Sequence, residues 1–244
     1  MLLLPVQLSV LHVPSPAVTP TNLVFNVAAT PGGIIRFVRE QRSLSLLPVL
    51  VAGTLPGVVA GAVIRVEVLS GSNAFMVVVA GVLLPLGAWL LLGSQRLHRD
   101  PPVMTDRVRG LIWLAAALVG CAGGIYGVGG GSLLAPILIA AGFSAYEVAP
   151  ATLAATFVTS IVGIMAYEVL QFSHGGPIAP DWALGVWLGA GGFAGSYMGA
   201  RLQRRLPEAS IRRLLGLIAC VVAIRYLQEA THPVHRSQPA AIVS

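Results

Sequence analysis

CAGGIYGVGGG, residues Cys121 to Gly131, sits in a stretch that carries no charge from Leu111 to Tyr146. Six of these eleven residues are glycine, and in a helix interior each glycine costs about 1 kcal/mol against alanine. In hydrocarbon the cost is larger, because every freed backbone N–H and C=O must find an internal partner. Irregular backbone at that depth is tolerated only where it is buried in protein or lines a watery cavity. The run therefore reads as a break in a membrane helix, placed at a binding site.

The remainder of the chain makes the membrane setting firm. Of its 244 residues, 56% are hydrophobic and only 10% are charged, against roughly 25% charged in soluble domains. The net charge of +6 comes from fifteen Arg without any Lys. These lie between apolar spans and read as topology and headgroup signals, so no nucleic-acid partner is expected. Cys121 and Cys220 lie inside apolar segments, lack CxxC spacing and have no His cluster nearby, so neither a metal, a disulfide framework nor a cofactor is expected. No cleavable signal peptide is expected either, since Pro5, Pro14 and Pro16 interrupt the first stretch and a basic leading region is absent. The glycine run has no Lys-Ser/Thr tail and no strand before it, and HExxH and GxSxG do not occur. The chain is not expected to be an enzyme.

Apolar windows of spanning length, roughly 17–25 residues, fall near 18–38, 46–64, 72–93, 147–170, 181–199 and 210–228. The stretch 109–142 differs: the glycines split it into two pieces of about 15 residues, each rising about 22 Å against a hydrocarbon core of roughly 30 Å. That arithmetic fits a re-entrant pair of half-helices, with a single tilted, broken span as the alternative. Arginine placement favours the hairpin. The loops holding Arg36, Arg39 and Arg42, then Arg96, Arg99, Arg107 and Arg109, then Arg201, Arg204, Arg205, Arg212 and Arg213 all become cytoplasmic only if 109–142 returns to its starting side. Arg65, balanced by Glu67, falls in a poor loop on the other side.

The two halves resemble each other. Pro5 matches Pro136, and Val18–Asn26 aligns with Val148–Thr156, pairing Pro20 with Pro150, Asn22 with Thr152 and Asn26 with Thr156. Gly53, Gly57 and Gly61 match Gly191, Gly195 and Gly199 at the same four-residue spacing. A duplication of a unit with an odd number of crossings inverts the second copy and frames a midplane site with discontinuous helices. The fold expected is an all-α integral membrane bundle of two inverted repeats with re-entrant half-helices, the first repeat truncated at its N-terminus. Its glycine turn and preceding half-helix have no counterpart before Met1, through either a shifted chain start or a shortened copy. The division is 1–95 for the first repeat, 96–108 for a cytoplasmic linker, 109–230 for the second repeat and 231–244 for a disordered tail.

The stretch GIYGVGGGSLLAPILIAAGFSAYEVAPATLAATFVTSIVG resembles the second signature of the sulfite exporter TauE/SafE family, and LLPVQLSVLHVPSPAVTPTNLVFNVAATPGGIIRF resembles a form of its first. The resemblance implies export or uptake of a small anion such as sulfite or an organosulfonate, coupled to an ion gradient.

Gly129, Gly130, Gly131 and Ser132 open a half-helix whose first N–H groups lack intrahelical partners and whose positive dipole end favours an anion; close helix packing is the competing account. Asn22 and Asn26 stand at i, i+4 on one helix face with Thr21 adjacent, and Thr152 and Thr156 repeat the arrangement. Their amides and hydroxyls suit sulfonate oxygens without burying a fixed charge, or else hold helices together. Pro20 and Pro150 are expected in the first turns of their helices. The glycine stripes read as helix packing. Glu168 with His174 is a candidate proton relay near the outer end of a span, where solvation is the simpler account. Glu147 reads as a capping residue. The chain is thus expected to be a multi-pass secondary transporter of the cytoplasmic membrane, with a small anion and lipid as partners and self-association left open. A passive anion channel and a non-transporting scaffold are the alternatives.

Overall fold

The computed structural model describes residues 15–40, 43–68, 104–174, 178–203 and 208–231, with scattered helical residues between 80 and 92. Among the described residues the chain is all helix. Seven helices follow in order: α1 (Ser15–Arg39), α2 (Leu47–Glu67), α3 (Asp106–Tyr126), α4 (Gly130–Ala140), α5 (Ala145–His174), α6 (Trp182–Gln203) and α7 (Glu208–Thr231). Pro5, most of the window 72–93, most of the linker and the tail after Thr231 lie outside the described residues.

Local chemistry sets the helix ends. Thr105 caps α3, its hydroxyl accepting from the Val108 N–H at 3.3 Å, with Asp106 in the first turn. Ser144 just before α5 and Glu147 in its first turn stand at capping-box spacing, and the Ser144 hydroxyl accepts from the Tyr146 N–H at 3.2 Å. Asp181 starts α6, its carboxylate accepting from the Leu184 N–H at 2.9 Å. Pro20 and Pro150 are each the sixth residue of their helix, not in the first turn, because α1 and α5 begin earlier than the apolar pattern suggests.

The break falls at Gly127–Gly129. Gly127 ends α3 with φ 68°, and Gly129 precedes α4 with φ 67°, conformations that favour glycine. Gly123 and Gly124 remain helical, since they pack against Gly130 and Val58. The expected equal halves are therefore corrected: α3 has 21 residues and α4 has 11. At 1.5 Å per residue α3 rises about 31 Å and α4 about 16 Å. α4 folds back along α3, with Gly130 beside Gly120 and Gly123 at one end, and Leu134 and Leu138 in one buried cluster with Ile112 and Ala116.

Among the described residues three helices are long and apolar enough to cross a membrane: Leu47–Glu67, Asp106–Tyr126 and Ala145–Ser173. α1 and α6 have comparable length, 25 and 22 residues, but carry the polar and glycine positions that line a cavity. α2, α3 and α5 run in one direction. Gly53, Gly57 and Gly61 lie successively along the α3 backbone from Trp113 to Cys121, while Thr54 meets Thr159 and Val58 meets Gly163 on α5. α1 runs parallel to α6, with Thr21 near Gly185 and Ala29 against Gly192. α1 and α5 cross antiparallel, with Leu23 against Gly163 and Leu153 against Gly33.

These contacts come in pairs. Gly163 meets Leu23 as Gly33 meets Leu153, each partner displaced by 130 positions. Likewise α5 residues Thr159 and Gly163 face Thr54 and Val58 of α2, as α1 residues Ala29 and Gly33 face Gly192 and Ser196 of α6, displaced by 130 and 138.

Candidate functional site

A cavity of about 370 Å³ lies between α1, α4, α5 and α6, within the usual size of small-molecule sites. Its inner end is the glycine turn, where Gly127, Val128 and Gly131 border it. α1 contributes Asn22, Asn26 and Thr30, and α5 contributes Thr152 and Thr156. From there it runs past Ala135 and Ala149 to Phe37, Ser196 and Ala200, the end of the bundle where α1, α4 and α6 finish and α5 begins. No lining residue is ionisable at neutral pH.

The turn is half sealed. Gly129 is walled by Thr156, Ser160 and Asn26, and Gly130 by Thr54 and Gly120. Only Gly131 of the triplet borders the space, and a Cβ there would strike the Thr152 carbonyl and the Thr156 hydroxyl. The start of α4 has no side-chain cap, so its positive dipole end points into this region uncompensated by a carboxylate. Gly129 and Gly130 thus act by close packing and Gly131 by giving the cavity access to backbone. Ser132 follows within α4, its side chain outside the described residues.

Hydrogen bonding sorts the polar wall into donors and acceptors. Asn26 donates through Nδ2 to the Gly127 carbonyl at 3.0 Å, which holds the turn and leaves one amide proton. Asn22 is 5% exposed and its Oδ1 has no partner, an unmet acceptor that costs about 1–3 kcal/mol. A half-turn of that amide presents its NH₂ group in the same place. Thr152 and Thr156 donate to the carbonyls of Val148 and Thr152 at 2.8 and 2.9 Å; both hydroxyls therefore have only acceptor capacity left, where the sequence reading expected donors to an anion. Thr21 stands outside the cavity, donating to Ala17 at 2.7 Å and accepting from the Asp181 N–H at 2.9 Å, a tie between α1 and the start of α6. Glu168 also lies outside the lining, and the His174 side chain is outside the described residues.

Several lining residues escaped the sequence reading. Thr30 donates to the Asn26 carbonyl at 2.8 Å, and Ser196 donates to Ala29 at 2.6 Å while accepting from the Gly33 N–H at 3.1 Å. Thr30 was detectable, because it extends the Asn22, Asn26 series by one more i+4 step and matches Ser160 in the other half. Phe25 and Phe37 carried no signal beyond apolarity. Among the described residues, no group of three His, Cys, Asp or Glu is placed to hold a metal.

Neither the curated proteins nor the solved structures give a significant match to the chain. The profile described as Sulfite exporter TauE/SafE matches residues 1–226. Together with the apolar crossing helices and the cavity at a helix break, that match over nearly the whole chain places the protein in the sulfite exporter TauE/SafE family of membrane transporters.

Proposed function

We propose that this chain is a multi-pass secondary carrier of the cytoplasmic membrane that moves a small sulfur oxyanion, sulfite or an organosulfonate, by ion-coupled alternating access. The observation that carries the reading is the cavity, whose wall draws on both halves and whose inner end is a glycine-built helix start. An anion seated there meets the positive end of α4 and the amides of Asn22 and Asn26. Neutral donors attract it without a fixed charge that would hold it against release. Gly129, Gly130 and Gly131 shape this end, and Thr152 and Thr156 complete the wall.

The paired contacts at displacements of 130 and 138, with α1 and α5 antiparallel, support two inverted repeats. The return of α4 along α3 supports a re-entrant hairpin. Arg36, Arg39, Arg107, Arg109 and Arg201 gather at the end toward which the cavity runs; under the positive-inside rule that end is cytoplasmic and the cavity faces inward.

Purified protein in liposomes, offered sulfite, sulfonates, sulfate and thiosulfate under an imposed pH gradient, tests the proposal. Saturable uptake of sulfite or a sulfonate against its own gradient is expected. Flux only down the gradient makes the protein a channel, and no flux of any of these anions removes the carrier reading.

A further inference from the structure

Among the described residues the cavity runs to one end of the bundle. Its wall residues have counterparts in the other half at the displacements already described: Ala149 corresponds to Thr19, Leu153 to Leu23, Phe37 to Tyr167, Ser196 to Val58 and Ala200 to Ala62. The counterparts are packed shut, each no more than 1% exposed. Leu23, Ala62 and Tyr167 share one buried cluster, and Gly163 lies against both Leu23 and Val58. This layer starts directly beyond the glycine turn, where Gly127 touches Thr19 and Asn22. Two side chains lock it to the end of α3: Tyr167 donates to the Gly124 carbonyl at 2.7 Å, and Thr19 donates to the Ile125 carbonyl at 3.1 Å.

Two of its features are ill-suited to a permanent seal. The Ser160 hydroxyl, counterpart of Thr30 in the cavity wall, is buried without a hydrogen-bond partner. Arg65, one helical turn beyond Ala62, is 4% exposed within electrostatic range of Tyr126 and Tyr167. It is the buried charged residue among the described ones, and burying a charge is expensive enough to call for a use. Its counterpart by sequence is Gln203. This position is therefore charged in one half of the molecule and neutral in the other.

We propose that the layer of Thr19, Leu23, Val58, Ala62 and Tyr167 is the second gate of the carrier, closed here, and that Arg65 is an anion-binding group exposed when this gate opens. The inference rests on the carrier reading and adds to it a second anion subsite and a sidedness. An anion arriving from the Arg65 side meets a guanidinium that accommodates two sulfite oxygens at once. One arriving through the present cavity passes the arginines at its end but meets only neutral groups in the lining itself.

Single cysteines in a Cys121→Ala, Cys220→Ala background test the gate with a membrane-impermeant maleimide applied to either face of proteoliposomes. Ala200→Cys is expected to react from one face and Ala62→Cys from the opposite face, at least about tenfold more slowly. Val58→Cys provides a second reporter should Ala62→Cys fold poorly. Arg65→Gln is expected to raise the KM for sulfite at least about tenfold on the Ala62 side and leave the other side within about twofold, with Arg65→Lys in between. Reaction of both reporters from one face, no reaction of folded Ala62→Cys and Val58→Cys at either face, or equal KM changes on both faces would overturn the proposal. If the wild type carries no sulfite, the carrier reading falls, while the labelling pattern still decides whether the layer opens.

Discussion

On α2, Gly53, Gly57 and Gly61 leave no room for a methyl group, because the α3 backbone from Trp113 to Cys121 lies against them. On α6, the equally spaced Gly191, Gly195 and Gly199 have nothing within 4 Å of the place a Cβ would occupy, among the described residues. The tight glycines of α6 are instead Gly185, Gly189 and Gly192, which face α1. A four-residue glycine spacing thus offers a smooth helix face, and the neighbour decides whether that face becomes an interface. Where α3 covers it, the half is closed; on α6, Gly199 borders the cavity.

Substitution should break this contrast cleanly. Gly61→Leu is expected to destabilise the protein by about 3 kcal/mol or more, since the side chain must displace the Cys121 carbonyl rather than a flexible group. Gly195→Leu should stay within about 0.5 kcal/mol. Thermal unfolding in detergent, read beside the yield of monodisperse protein, compares the two; equal losses would mean that α6 is covered as closely as α2. Gly131→Ala ranks next, its methyl meeting the Thr152 carbonyl where α4 approaches α5. About 1–3 kcal/mol of destabilisation is expected, together with loss of stabilisation by added sulfite, and a variant that keeps its sulfite response would move the anion away from the start of α4. Among the substitutions at packed positions, the smallest effect belongs to Thr54→Val. It removes the 2.8 Å hydrogen bond to Thr159, whose counterpart between α6 and α1 is an apolar contact of Gly192 with Ala29. A loss of about 0.6–1.7 kcal/mol is expected, and a double-mutant cycle with Thr159→Val should recover most of it as coupling.

Part of the lining of the candidate site was legible because polar residues in apolar helices are few and their spacing is informative. Asn22, Asn26, Thr152 and Thr156 line one cavity, as i, i+4 steps on facing helices allow. Thr21 belongs to the same helix turn, yet its hydroxyl holds Asp181, a partner that becomes visible only once α6 lies beside α1. Arg65 reads in the sequence as a loop charge balanced by Glu67. The structure buries it, because α2 continues to Glu67 and is flanked there by Tyr126 of α3 and Tyr167 of α5. The glycine run announced a break but not its position: six glycines are equivalent in one dimension, and only packing of Gly123 and Gly124 against Gly130 and Val58 keeps those two helical.

Composition, the arginine loops and the displaced repeat belong to the sequence alone, since hydropathy and periodicity are local or additive properties of the chain. The buried layer around Tyr167, the hydroxyls that act as acceptors and the stripe that is covered were decided in three dimensions. Each depends on which backbone lies within a few ångströms of a side chain, and many such arrangements share one pattern of apolar and polar residues.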